Sequence, residues 1–336
     1  MSVRVRALLF LAGAIAFLVM VLQAGPRTIA ASVVAAGWTL AAVIALYGVV
    51  QLCYAAAWQT VMGAEPVYPP FLRTFAVTVS TLALNFITPF LQAGGEPFRI
   101  ASAAAWLGRR RAAGSVMLYT MLHALSSLLL WLSALGVALF VFPRRPLVVG
   151  TIAFLMLAVI VLGAAVFSGH HGGVLGRVLG LVARLPLVRR LSPRLERHRE
   201  SLEEVDRQIM AFHRRAPGRF LAALLIDFLG RVIGVGEFWL ICHAIGVPVT
   251  LVQSYLIGGL LALAINASFF VPFELGSRET ALYFIYHFTG LAPELGVATS
   301  VVTRVRELAW VAIGVGLVWA GGRRDAGARP GPTAAR

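Results

Sequence analysis

The chain has 336 residues, 59% hydrophobic and 13% charged, with a formal net charge of +15 and a mean hydropathy of +0.85. A soluble domain is about 45–50% apolar and about 25% charged, so a soluble enzyme, a disordered chain and a disulfide scaffold are excluded. All 29 basic residues are arginine, and most sit between apolar runs, where the positive-inside rule places them in a polytopic inner-membrane protein rather than a nucleic-acid partner.

Residues 7–24 follow Arg4 and Arg6 and lead into no small-residue cleavage site, so they read as a signal anchor. Further full-length spans are expected at 33–58, 115–142, 147–167, 219–246 and 296–320. Two other stretches are shorter. Residues 71–90 end near Pro89, are interrupted by Gly94, Gly95 and Pro97, and resume to Leu107. Residues 251–271 end at Pro272, are interrupted at Gly276, and resume from Arg278 to His287. Each resumed helix rises about 16–20 Å, too little for a hydrocarbon core of about 30 Å. Both stretches therefore read as re-entrant hairpins, whose irregular turns need burial in protein or a cavity to line.

The hairpins repeat one another. Pro89-Phe90 precedes Glu96 as Pro272-Phe273 precedes Glu279, at an offset of 183, with Asn85 and Asn266 before and Gly108 and Gly290 after. Two spans precede each hairpin and one follows, so the second half is inverted relative to the first, a recurrent transporter design. With both termini cytoplasmic and each hairpin returning to its own side, only Arg27, Arg144 and Arg145 face outward. The fold class is thus an all-α polytopic helix bundle of two inverted repeats, each with a re-entrant hairpin. The first repeat is 1–146 with hairpin 71–107, and 147–167 opens the second. A basic cytoplasmic amphipathic segment follows at 168–218, then the rest of the second repeat at 219–321 with hairpin 251–288, then a disordered basic tail at 322–336. The amphipathic segment, started by Ser192-Pro193, suits an anionic cytoplasmic leaflet or serves as plain linker helices.

Ionisable residues inside membrane spans are costly and mark a site or a buried pair. The first hairpin offers Glu96 and Arg99 at a helix start that can take an anion or be capped by Glu96 itself. The second offers Glu274, Arg278 and Glu279, with Ser277 as the expected cap and Glu274–Arg278 as an expected local pair. The last span carries Arg304, Arg306 and Glu307. Arg304 and Glu307 share a face, whereas Arg306 needs another partner. Asp227, Arg231 and Glu237 read as an internal pair with one further acid. His123, His243 and His287 read as core residues, no metal-ligand spacing occurs, and no phosphate loop or nucleophile elbow is present. No cofactor, metal or covalent chemistry is therefore expected, and the chain reads as a non-enzyme.

The first half, from Trp58 through Asn85, Pro89, Gly94, Gly95, Glu96 and Arg99, resembles the flippase-like transmembrane region of lysylphosphatidylglycerol synthases. So do Phe269-Phe270-Val271-Pro272, Gly276, Glu279 and Arg304-Val305-Arg306-Glu307. The nearest subgroup is the hopanoid-biosynthesis-associated membrane proteins. The resemblance implies a lipid substrate (hopanoid, phospholipid or polyprenyl lipid), moved between leaflets or toward the outer membrane. It puts the motif here on Gly95, Glu96, Arg99, Pro272, Gly276, Glu279, Arg304 and Arg306. One departure stands out: Phe273-Glu274 occupies a place where the family usually has glycines. The synthases' aminoacyl-transferase domain has no counterpart in this sequence, so synthesis of a lysyl-lipid by this chain is not expected.

On this reading Arg99, Arg278, Arg304 and Arg306 hold a headgroup and Glu96 and Glu279 couple protons or gate. The alternatives are a non-transporting scaffold that recruits lipid-biosynthesis proteins, and an intramembrane lipid-modifying enzyme.

Overall fold

In hydrocarbon every backbone N–H and C=O must be satisfied within its own segment, so long apolar runs become helices. The computed structural model describes residues 27, 34, 36–63, 65–87, 94–168, 216–244, 246–268, 274 and 277–327. The signal anchor, the amphipathic segment, Pro89, Pro272 and Gly276 lie outside these. Among the described residues there are nine helices longer than ten residues and no strand: α1 (Trp38–Met62), α2 (Phe71–Ile87), α3 (Gly95–Leu107), α4 (Arg109–Val141), α5 (Pro146–Ser168), α6 (Pro217–Ala244), α7 (Leu251–Ala267), α8 (Ser277–Phe288) and α9 (Glu294–Gly327).

Three of them, α1, α4 and α5, are long and apolar enough to cross a membrane. α5 buries Ile152 and Val159 but exposes Phe154, Leu157, Ile160 and Val161, the pattern of a helix at the rim of a bundle. α6 and α9 are long enough, at 28 and 34 residues, but charged residues interrupt their apolar sequence and turn inward. α9 also runs to Gly327, past the expected end of the membrane repeat at 321.

The short helices pair as expected, α2 with α3 and α7 with α8. At 17, 13, 17 and 12 residues they are about 18–26 Å long. A capping box starts α7: Thr250 Oγ1 accepts from Gln253 N and the Gln253 side chain accepts from Thr250 N. Gln253 Nε2 then donates to Thr289 O at 3.1 Å, tying the start of α7 to the end of α8.

Each hairpin leans on the other half of the chain. α2 packs along α9 and α7 along α4, while α1 and α6 cross at the centre. Small residues permit these approaches. A Cβ on Gly314 of α9 would stand 2.5 Å from the Val79 carbonyl oxygen of α2, and one on Gly259 of α7 would stand 2.5 Å from Ala134 Cβ of α4. Gly108 and Gly290, which end α3 and α8, both have positive φ, 75° and 78°.

Candidate functional site

The first hairpin's turn is closed by Asn85, whose side-chain oxygen accepts from Gly95 N at 2.8 Å. A Cβ at Gly95 would lie 2.5 Å from that oxygen and 2.7 Å from Thr81 O, so the contact requires glycine. Of the two readings of Glu96, capping of α3 is not seen among the described residues. Glu96 instead lies 3.7 Å from Arg99 and accepts from Thr120 Oγ1 at 3.4 Å. Arg99 is buried between two rings, 5.0 Å from the centroid of Trp58 and 4.8 Å from that of Tyr119, and its Nε has no hydrogen-bond partner. Among the described residues Asn266 makes no matching contact: its amide nitrogen donates to Ala262 O of its own helix.

The second hairpin's turn carries Glu274 at φ 55°, the left-handed region that disfavours a side chain. This is the position where the sequence departs from the glycines of the family it resembles. Tertiary contacts hold the strained residue: its carboxylate accepts from Arg278 Nε at 3.0 Å and its carbonyl from Arg304 at 3.4 Å. Ser277 does not cap α8, since among the described residues its buried hydroxyl makes no hydrogen bond.

From the second turn an ion-pair network spreads across three helices. Arg278 bridges Glu274 and Glu307, with Glu307 at 2.7 Å, and also donates to Thr303. Arg304 pairs with Glu279 at 2.8 Å, and Ser300 donates to the same oxygen. Arg304 and Glu307 share a face of α9 but take their closest partners elsewhere. The partner that Arg306 needs is Glu237 of α6, at 2.8 Å, with the guanidinium 4.0 Å from the Tyr47 ring centroid. Asp227 and Arg231 form the expected internal pair at 3.4 Å. Unforeseen in the sequence, His123 Nδ1 and Tyr119 OH both meet Asp227 Oδ1, at 2.9 and 3.3 Å.

A partly open cavity of about 180 Å³ lies between α1, α4 and α6 to α9. Its charged wall is Arg231, Glu237, Arg278, Arg306 and Glu307, with Tyr47, Tyr54 and Thr303 between them. Arg304 and Glu279 adjoin this wall through Arg278's turn, while Glu96 and Arg99 lie outside the lining. The structure thus gathers the second hairpin and last span into one site and leaves the first hairpin's pair separate. Glu237 and the tyrosines belong to that site. The acid between apolar residues of α6 was the one signal available for them. Among the described residues no three His, Cys, Asp or Glu side chains group as a metal ion would require.

The arrangement of paired charges around a partly open cavity in an all-helical membrane bundle fits the family comparison. The model of the lysylphosphatidylglycerol synthase transmembrane region matches residues 5–316. The chain belongs to that family. It is also 24% identical over 314 residues to a UPF0104 membrane protein of Methanothermobacter thermautotrophicus, covering 89% of this chain and 90% of that one. No solved structure matches it significantly. Family membership places the chain among membrane proteins with a lipid-related role.

Proposed function

We propose that this family member translocates a lipid across the bacterial inner membrane or passes it to an export route. The headgroup sits in the cavity and the tails remain in the bilayer. The observation that carries this reading is the cavity itself, which puts two carboxylates and three guanidiniums in the wall of one partly open recess between the helices. Ionisable groups at that depth are retained where a polar substrate or ion passes. Arginine's planar fork of donors suits a phosphate or a polyhydroxylated head. Because Arg278 and Arg306 start paired with Glu307 and Glu237, a headgroup would exchange with those carboxylates rather than fill an empty site.

The inverted-repeat topology, with both termini cytoplasmic, is part of this proposal. It is supported by the matching hairpin helices, by the reciprocal packing of α2 on α9 and α7 on α4, and by the paired left-handed glycines. Such repeats carry substrate between their halves by rocking about a fixed central site. The substrate is a hopanoid, phospholipid or polyprenyl lipid, and no covalent bond is made or broken.

A leaflet-resolved assay in proteoliposomes tests the reading with one labelled lipid of each class. The protein is expected to accelerate movement of at least one lipid. The variant Glu237→Gln with Arg306→Gln, which keeps the pair neutral and of similar size, is expected to abolish the acceleration. Equal rates for protein and variant, or no acceleration of any of the three, would sink the proposal.

A further inference from the structure

We infer that His123 and Asp227 form a proton-binding site between the first hairpin and the cavity. Its role in transport rests on the translocase reading; proton binding does not.

The geometry begins with Asp227, which is fully buried. One of its oxygens is shared by His123 Nδ1 and Tyr119 OH. The other faces Arg231 Nε at 3.4 Å and, among the described residues, has no hydrogen bond, because that nitrogen donates to Ser126 Oγ at 2.9 Å instead. A carboxylate only accepts, so the imidazole nitrogen toward it carries the hydrogen. This leaves Nε2 with an open lone pair. About 37% of the His123 side chain lies outside the protein packing, which leaves Nε2 open to take a proton and convert the ring to imidazolium beside the carboxylate.

The state of Asp227 gives the reason to bind one. Its carboxylate is fully buried and, among the described residues, one of its oxygens has no hydrogen-bond partner, a costly condition for a charge in a region of low dielectric. A protonated His123 places a positive charge directly against it. Histidine is the side chain whose ordinary titration range includes physiological pH.

Polar groups also lie on both sides of the site. Glu96 of α3 accepts from Thr120, one turn before His123 on the same face of α4. His123 meets Asp227, Asp227 meets Arg231, and Arg231 lines the cavity. The groups that face His123 are Asp227 and Arg231 from α6, Tyr54 from α1 at 4.9 Å between centroids, and Tyr119 on its own helix. Arg99 of α3 stacks on the far side of that tyrosine, and Cys53 of α1 lies against Gly230 of α6. On α7, Tyr255 meets Ser133 further along α4. α5 has no titratable side chain among residues 146–164.

The test uses the full-length protein in lipid nanodiscs, labelled with nitrogen-15 histidine and titrated by NMR across about pH 5 to 8. One imidazole signal, absent from His123→Gln, is expected to pass from neutral to charged over that range. Asp227→Asn is expected to displace its midpoint by at least about one pH unit. A His123 signal locked in one protonation state across the range overturns the proposal, as does a midpoint unmoved by Asp227→Asn. Should Asp227→Asn fail to fold, the comparison of the native protein with His123→Gln still decides whether the ring takes up a proton. In proteoliposomes a pH gradient is expected to change the rate of lipid movement by the native protein. If that protein moves no lipid while His123 titrates, the translocase reading falls and the proton site stands.

Discussion

Glu237 of α6 lies 2.8 Å from Arg306 of α9, and the two residues are separated by 69 positions in sequence. Both are more than nine-tenths buried, so neither has water to fall back on. Removing one partner of such a pair leaves a bare charge and costs about 3–5 kcal/mol. Glu237→Ala and Arg306→Ala are each expected to lower the unfolding temperature sharply in detergent, and the two together by less than the sum. A strictly additive double variant, in a thermal-denaturation cycle, would show that the pair is not coupled.

Gly95 makes a second prediction. Alanine there would drive a Cβ into Asn85 and the Thr81 backbone, and overpacking of this kind costs about 1–3 kcal/mol. At Gly136, inside α4 toward its C-terminal end, an added Cβ would meet nothing within 4 Å. There alanine is expected to be neutral or to stabilise by up to about 1 kcal/mol through helix propensity. Thermal unfolding of Gly95→Ala against Gly136→Ala separates steric demand from a general intolerance of substitution.

Glu274 is held at φ 55° while its carboxylate pairs with Arg278. Two effects therefore oppose one another. Glu274→Gly loses the ion pair but relieves backbone strain, whereas Glu274→Ala loses the pair and keeps the strain. The alanine variant is expected to be the less stable by about 1 kcal/mol, read from unfolding curves of the two proteins side by side. Equal stability would mean the left-handed backbone is not costly at this turn.

Arg99 stacks on Trp58 and Tyr119. Lysine keeps the charge but not the flat guanidinium that lies against both rings. Arg99→Lys is expected to cost about 1–2 kcal/mol, near the value of a desolvated cation–π contact, and Trp58→Leu a comparable amount. A lysine variant as stable as the native protein would assign the position to charge alone.

Much of this architecture was legible along the chain. Apolar runs of known length, broken by proline and glycine at a fixed offset, placed α2, α3, α7 and α8 within a few residues, because helix length and backbone saturation in lipid are local constraints. The charged residues of the interior were also visible, since a guanidinium inside an apolar run has no local explanation. Their partners on other helices were not. Of the pairs formed, Glu274–Arg278, Asp227–Arg231 and Glu96–Arg99 are short-range, whereas Arg306 reaches to α6 and Arg304 to α8. His123 looked like a core histidine because its carboxylate lies on a helix 104 positions away.

The +15 charge and the apolar excess were thus enough, from the residues alone, for membrane class, helix order and the arginines that orientation leaves unexplained. Which carboxylate neutralises each of them, and which share a cavity, depended on how α6, α8 and α9 pack. Ion pairing acts over a few ångströms in space and takes no account of distance along the chain. The separation of Glu96 and Arg99 from the cavity wall has the same origin.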